Sequence, residues 1–237
     1  MASSAGAPQS PAIPHHPRSL GVGSDPSQPS PQKIFNEIIH KIPTIQKFTE
    51  IIYENISPSD VEWTQDGLVS REEQRGLDAG VGMTFDGFTG VYQGSHKEPD
   101  FSFRADTDDF PSIVIESGWS ESLPYLRADK DLWMKGNNFV QLVILLNWHK
   151  VPGGRVKGSA EIWRRNGAGN LVATEMTIFP VPSTPVLNEH IEFTKGQLFG
   201  AAAIGHPDAG TVLSLRMSRL REIAEERLVK KMGLMPA

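Results

Sequence analysis

Two short runs of alternating apolar and polar residues stand near the middle of the chain, at 100–104 and 112–117. Such alternation is typical of β-strands, which place successive side chains on opposite faces of a sheet. The segment between the runs, 106–109, reads Asp-Thr-Asp-Asp and supplies turn-forming residues. The pattern therefore predicts a hairpin whose strands each carry one acid, Asp100 and Glu116, side by side on one sheet face.

A helix is predicted to follow this hairpin. Ser122 favours a helix N-terminus, and Pro124 is tolerated in a first turn because its missing N–H has no helical partner there. Lys130 falls within an apolar stripe at helical spacing, where an ammonium is rare unless an anion pairs with it. We therefore expect Lys130 to point inward and to pair with Asp100 and Glu116. The stripe consists of Leu123, Leu126, Trp133 and Met134.

This combination resembles the PD-(D/E)XK nuclease superfamily, in particular the Uma-type restriction-endonuclease-like proteins and their fungal relatives. The resemblance spans roughly residues 60–150, and it implies an α/β fold of the restriction-endonuclease type, with a mixed β-sheet flanked by helices. It further implies a Mg²⁺ site and DNA as the substrate. The matching features are Pro99-Asp100, Glu116-Ser117-Gly118 after a strand, Ser120-Glu121-Ser122, Asp129 in the helix, and the apolar run 139–148.

One position departs from the family pattern. The family's Lys belongs two residues after the acid, where this chain has Gly118. Two interpretations stay open: Lys130 supplies the ammonium from the next helix, as in some members of the superfamily, or the site has lost its chemistry. The resemblance also implies a further acid from an early helix, and Glu50, Glu54 or neither would serve.

The catalytic hypothesis assigns Asp100 and Glu116 as ligands of Mg²⁺, because hard carboxylate oxygens suit this ion. Lys130 would orient water or stabilise the developing negative charge, and the product would be a cleaved phosphodiester. The alternative is a catalytically inactive nuclease-like fold that acts as a protein or nucleic-acid interaction module. In that case the two acids and Lys130 form a structural ion pair.

Outside the central stretch, residues 1–32 are rich in Pro, Ser, Ala and Gly, which predicts a disordered tail. Residues 33–235 are predicted to form a single nuclease-like α/β domain, in which a strand, a crossover helix and a parallel strand make one βαβ unit. Its other expected elements are a helix at 33–55, which Pro43 could divide into two, a strand at 61–66, bends and hairpins at 76–94, and strands at 139–146, 156–163 and 171–179. Residues 212–215 fit either a short strand or a helix start, and residues spaced from 213 to 228 predict an amphipathic C-terminal helix.

Composition narrows the classes of function. The formal net charge of −5 is not that of a general nucleic-acid binder, but 216–231 holds six basic and three acidic residues. This segment alone would suit binding to acidic partners or to nucleic acid without cleavage.

The chain has no cysteine, which excludes disulfides and thiolate zinc sites and favours an intracellular location, in the cytoplasm or nucleus. No run approaches the ~20 apolar residues of a membrane span, so no membrane partner is expected. The oligomeric state stays open.

Overall fold

The computed structural model describes residues 76–119, 122–183, 189–203 and 207–237. Over these residues the architecture is mixed α/β, with one mixed sheet of seven strands, one two-stranded sheet and a few helices. The expectations for the tail, for the helix with Glu50 and Glu54, and for the strand at 61–66 lie outside the described residues. That 33–235 form one domain stays a prediction.

Six strands follow one another across the main sheet in chain order. Neighbouring strands are antiparallel except for the parallel pair β3 and β4, and a short seventh strand, β9, joins β5 in parallel. The strands are β1 Leu77–Gly80, β2 Phe101–Ala105, β3 Ile113–Trp119, β4 Leu142–Val151, β5 Arg155–Arg165, β6 Leu171–Phe179 and β9 Met235–Pro236.

The longest helix, α1, connects the two parallel strands β3 and β4, as the βαβ pattern predicts. No helix of the described residues is long and apolar enough to cross a membrane. The remaining elements are α1 Leu123–Lys135, α2 Lys195–Phe199, α3 Met217–Ala224, a π-helix at Glu225–Lys231, 3₁₀ turns at Gly90–Tyr92 and Gly200–Ala203, and the strands β7 His190–Thr194 and β8 Val212–Arg216, which form the second sheet.

The predicted hairpin is confirmed. Strands β2 and β3 are antiparallel, with Phe101 opposite Ile115 and Ser102 opposite Val114. One further step along both strands brings Asp100 next to Glu116 on neighbouring strands. The structure therefore places the two acids as the alternation predicts.

The start of α1 differs from the expected cap. Ser122 stands at the N-cap position, but its side chain caps no helical N–H, and its Oγ donates instead to the carbonyl of Trp119 at 2.6 Å. Pro124 lies in the first turn as predicted. The stripe is also confirmed, because Leu126, Lys130, Trp133 and Met134 are all buried.

Hydrophobic side chains pack on both faces of the main sheet. As predicted for a central strand, β4 is buried on both faces from Leu142 to Leu146. It begins later than expected, because Asn137 Oδ1 accepts from the backbone N–H groups of Phe139 (2.9 Å) and Val140 (3.1 Å) in a turn before the strand. The cluster on the α1 face includes Phe85, Phe88, Phe110, Val114, Trp133 and Val143. The opposite cluster includes Phe103, Ile115, Ile144, Ile191, Leu213 and Met217.

Of the two alternatives for 212–215, the structure has the short strand, and the C-terminal helix begins after it. Residues 212–216 form strand β8, because Leu213 and Leu215 alternate and pair with Phe193 and Ile191 of β7. Regular α-helix covers only α3 and then changes into the π-helix. The helical segment thus runs from Met217 to Lys231.

We expect Gly158→Ala to lower the free energy of unfolding by about 1–3 kcal/mol, because it overpacks a full core. A Cβ at this position would lie 2.5 and 2.7 Å from two ring atoms of Trp148. Urea unfolding measures the change. Gly167→Ala is the matched control, since nothing lies within 4 Å of its Cβ position. Equal stability of the two variants would show that the Trp148 ring moves aside at little cost.

Candidate active site

Asp100 and Glu116 lie together where β2 meets β3. Both are buried, and Glu116 has a relative exposure of 0%. The carboxylate of Asp100 accepts a hydrogen bond from the backbone N–H of Ser117 at 2.8 Å, which fixes it against the strand that carries Glu116. The sheet register and one direct bond therefore hold the two predicted acids next to each other.

The carboxyl group of Glu116 is held on one side only. The indole N–H of Trp133 donates to Glu116 Oε1 at 2.8 Å. Glu116 Oε2 is buried and accepts no hydrogen bond from any residue that the structure describes. A buried acceptor without a partner costs about 1–3 kcal/mol, so this oxygen is a candidate contact for a ligand.

The ammonium beside the acids belongs to Lys97. Its Nζ lies 3.6 Å from Glu116 Oε1 and 2.6 Å from Asp129 Oδ2. Backbone hydrogen bonds of 2.8 and 2.9 Å between Lys97 and Phe85 hold the segment in place. Relative side-chain exposure is 17% for Lys97 and 27% for Asp129, so the group opens to solvent at this side.

Lys130 does not join the acids, which corrects the expected pairing. It is buried as predicted, but its ammonium pairs with Asp131 and lies 4.1 Å from the ring centroid of Trp163. The reason is helical geometry, because consecutive residues point about 100° apart around a helix. Asp129 therefore faces Lys97 on one flank of α1, while Lys130 faces β5 on the other flank.

Gly118 is required by the way α1 packs on β3. A Cβ at Gly118 would lie 2.1 Å from Ser122 Oγ and 3.3 Å from a methyl carbon of Leu126. The first turn of α1 therefore fills the space that a side chain of residue 118 needs. A lysine two residues after Glu116 would fit only if the Ser122 and Leu126 side chains moved.

A second indole supports the other acid. Trp148 is buried, and its N–H donates to Ser117 Oγ at 3.0 Å. Ser117 in turn donates its backbone N–H to Asp100. Each of the two acids is thus oriented by a tryptophan, Glu116 directly and Asp100 through Ser117. Sequence reasoning missed this support, because the bonds join residues far apart in the chain.

Burial controls the electrostatics of the site. Burial raises the pKa of Glu116 to about 8, and the negative charges of Asp100 and Asp129 add to this rise. The positive charge of Lys97 and the hydrogen bond from Trp133 act against it. Burial also lowers the pKa of Lys97, but Glu116, Asp129 and Asp100 together raise it above its usual value. At neutral pH Lys97 is therefore charged, while Glu116 mostly keeps its proton.

The cluster offers two carboxylates to a cation, but not a complete set of protein ligands. In the described ranges, no three His, Cys, Asp or Glu side chains form a group that could hold a metal ion. The Lys97 ammonium contacts both Glu116 and Asp129 and supplies the local positive charge. What does fit a hard cation is the pair of carboxylates, Asp100 and Glu116, with the unused oxygen Glu116 Oε2.

The raised pKa of Glu116 predicts a pH-dependent stability. The folded protein holds this proton more tightly than the unfolded chain does, so the contribution is full below pH 4.5 and is lost as the pH rises to about 8. The Lys97, Asp100 and Asp129 charges face the same group. We expect Glu116→Gln, which cannot ionise, to gain stability relative to the parent by up to about 1.4 kcal/mol per pH unit in this window.

Urea unfolding of both proteins between pH 4.5 and 9 measures this difference. Glu161→Gln is the matched control, because hydrogen bonds from Arg127 and Trp163 outweigh burial and lower the pKa of Glu161. This control should not gain stability relative to the parent as the pH rises. Parallel curves for the parent and Glu116→Gln would contradict the raised pKa.

The comparisons with known proteins give no further guide to the site. No protein-family model matches the chain, and the searches of curated proteins and of solved structures find no match either. Function has to be inferred from the side chains themselves, since one fold serves many chemistries. The group formed by Lys97, Asp100, Glu116 and Asp129 is the part of the described chain on which such an inference can rest.

Proposed function

We propose that this chain is a Mg²⁺-dependent phosphodiester hydrolase of the PD-(D/E)XK type that acts on DNA. One observation carries the proposal: two buried carboxylates, Asp100 and Glu116, stand side by side on neighbouring strands with the Lys97 ammonium 3.6 Å from Glu116. Two acids and a lysine at one point are the groups that hydrolysis of a phosphodiester needs.

The fold assignment is proposed with the function. A hairpin, a helix and a parallel strand follow one another as β2, β3, α1 and β4, and β5 then returns antiparallel. The acids lie on the first two strands of this series, and Asp129 lies on the helix. This order supports a restriction-endonuclease-like fold as the finer description of the mixed sheet.

Each residue has a separate task in the proposed reaction. Asp100 and Glu116 would hold Mg²⁺, which when bound polarises the phosphoryl group and makes its water more acidic. Lys97, rather than Lys130, would place its positive charge where negative charge develops on the phosphate. Asp129 holds the Lys97 ammonium by a 2.6 Å ion pair, and Trp133 fixes the orientation of Glu116.

The assignment of Lys97, rather than Lys130, as the catalytic cation can be tested directly. We expect Lys97→Met to lower the rate of plasmid cleavage by about 100- to 1000-fold, the usual cost of removing one group that stabilises transition-state charge. Lys130→Met is the matched control, because it removes the buried ammonium on α1, which does not contact the two acids. This variant should cleave within about threefold of the parent. Gel assays with Mg²⁺ measure both rates.

Glu116→Ala completes this assay, because nicking by a contaminating nuclease would survive the substitution. The same assay is run on single-stranded DNA. If the parent and Glu116→Ala cleave both substrates equally, or if neither cleaves either substrate, the hydrolase proposal fails. If Lys130→Met loses activity while Lys97→Met keeps it, the assignment of the cationic residue is wrong, although the acid pair would stand.

A second function has one observation in its favour. Lys97 already contacts Glu116 and Asp129, so the charges of the site compensate one another without a metal. This arrangement also suits a catalytically inactive nuclease-like fold that acts as a protein or nucleic-acid interaction module, in which the cluster is a structural ion pair. Such a module would bind its partner through another surface.

Calorimetric titration with Mg²⁺ separates the two functions. The hydrolase should bind the ion with measurable heat, and Asp100→Ala should abolish that heat, because it removes one of the two carboxylates. The module should give no heat in either protein. Asp78→Ala, which removes an exposed acid paired with Arg104 outside the cluster, is the control for heat from surface carboxylates.

A further inference from the structure

Tyr125 lies at the entrance to the acid cluster. It is one helical turn before Asp129 on α1, so their Cβ atoms lie about 5–6 Å apart on the same flank of the helix. Asp129 in turn holds Lys97, the cation beside Glu116. Tyr125 and Asp129 therefore share the flank of α1 that faces Lys97.

Its exposure sets Tyr125 apart from other aromatic residues. Its relative exposure is 72%, and the other aromatic among the large exposed side chains of the described residues, Phe139, stacks on Phe110 with ring centroids 5.9 Å apart. Tyr125 makes no ring contact and no side-chain hydrogen bond with any residue that the structure describes. Most of the Tyr125 surface is therefore available to a ligand.

Exposure falls step by step from this ring into the site. It is 72% at Tyr125, 27% at Asp129, 17% at Lys97 and 0% at Glu116. Glu116 is thus the most deeply buried group of this series, and Tyr125 is the most exposed. The arrangement is a recessed polar site with one free aromatic ring at its edge.

We propose that Tyr125 is a stacking platform for an unpaired base next to the scissile phosphate, so that the substrate is single-stranded nucleic acid. The inference rests on the proposed hydrolase function and names its substrate class. An unpaired base offers a π-face at once, whereas a base in a duplex must first be unstacked at a cost of about a few kcal/mol.

Charge favours the same conclusion. The chain carries a net charge of −5, so neutralising many phosphates is not its main source of affinity. Lys97 is the one cation of the acid cluster in the described chain, and it is already paired with Asp129. Stacking of a base on an aromatic ring contributes about 1–3 kcal/mol and needs no further cation.

Fluorescence anisotropy with a labelled 12-nucleotide oligonucleotide tests the stacking. The titration is done in EDTA, so that neither cleavage nor a metal enters the result. We expect Tyr125→Ala to weaken binding about 5- to 150-fold. Tyr125→Phe keeps the ring, and Val172→Ala removes an exposed apolar side chain on β6, so both should bind within about twofold of the parent.

The matching duplex is the second arm of the experiment. It should bind more weakly than the single strand, and Tyr125→Ala should leave its affinity unchanged. Parallel DNA and RNA oligonucleotides distinguish the two sources of an unpaired base. The proposal is overturned if the parent binds no single strand, if Tyr125→Ala binds it as tightly as the parent, if Tyr125→Phe loses as much as Tyr125→Ala, or if the duplex binds as tightly.

The two proposals fail in distinguishable ways. Loss of affinity in Tyr125→Ala, together with no Glu116-dependent cleavage, would keep the binding surface and remove the hydrolase. Glu116-dependent cleavage that proceeds equally well in the parent and in Tyr125→Ala, with equal affinities, would keep the hydrolase and remove the stacking platform. Matching urea midpoints of all variants would confirm that each protein is folded.

Discussion

The burial of the Glu116 carboxyl group is the constraint on which the rest of the site depends. A carboxylate with no exposed surface is costly unless its charge is compensated or its proton is kept. Burial prevails here and raises the pKa of Glu116 to about 8, although the Lys97 ammonium, 3.6 Å away, and the Trp133 hydrogen bond to Oε1 act against this rise. Helix α1, which covers Glu116, must therefore point Trp133 inward to Glu116 and point Asp129 toward Lys97.

The same constraint explains Gly118. Helix α1 reaches Glu116 only if its first turn lies close against β3, and that turn places Ser122 Oγ 2.1 Å from the Cβ position of residue 118. The glycine allows the approach that buries the acid. The ammonium near Glu116 belongs instead to Lys97, which precedes β2 in the chain.

Much of the architecture was predictable from local patterns. The two apolar runs predicted the strands β2 and β3, which are buried on both faces, and the 3.6-residue period predicted the buried face of α1 with Leu126, Trp133 and Met134. The adjacency of Asp100 and Glu116 followed from a hairpin register alone. Signals of this kind depend on residues that are close in the chain, so one sequence is enough to show them.

Lys97 was not predictable in the same way. Lys97 is not part of a helix or of an extended strand. Its position is fixed by an isolated β-bridge to Phe85 and by the ion pair with Asp129 of α1, which is 32 residues later in the chain. Lys130 had the stronger local signal, an ammonium within an apolar stripe. The structure satisfies that ammonium with Asp131 and the Trp163 ring instead. Local pattern showed that it is buried, but its partners depended on long-range packing.

Lys97 and a bound cation would share only Glu116 among the acids, since Lys97 pairs with Glu116 and Asp129. A metal on Asp100 and Glu116 would leave Lys97 to Asp129 and to the substrate phosphate. Anomalous diffraction from crystals soaked in Mn²⁺ tests this most directly. The proposed site predicts a peak within about 2.5 Å of carboxylate oxygens of both Asp100 and Glu116. Density that shows Lys97 still bridging Glu116 and Asp129, with no peak between the two acids, would contradict it.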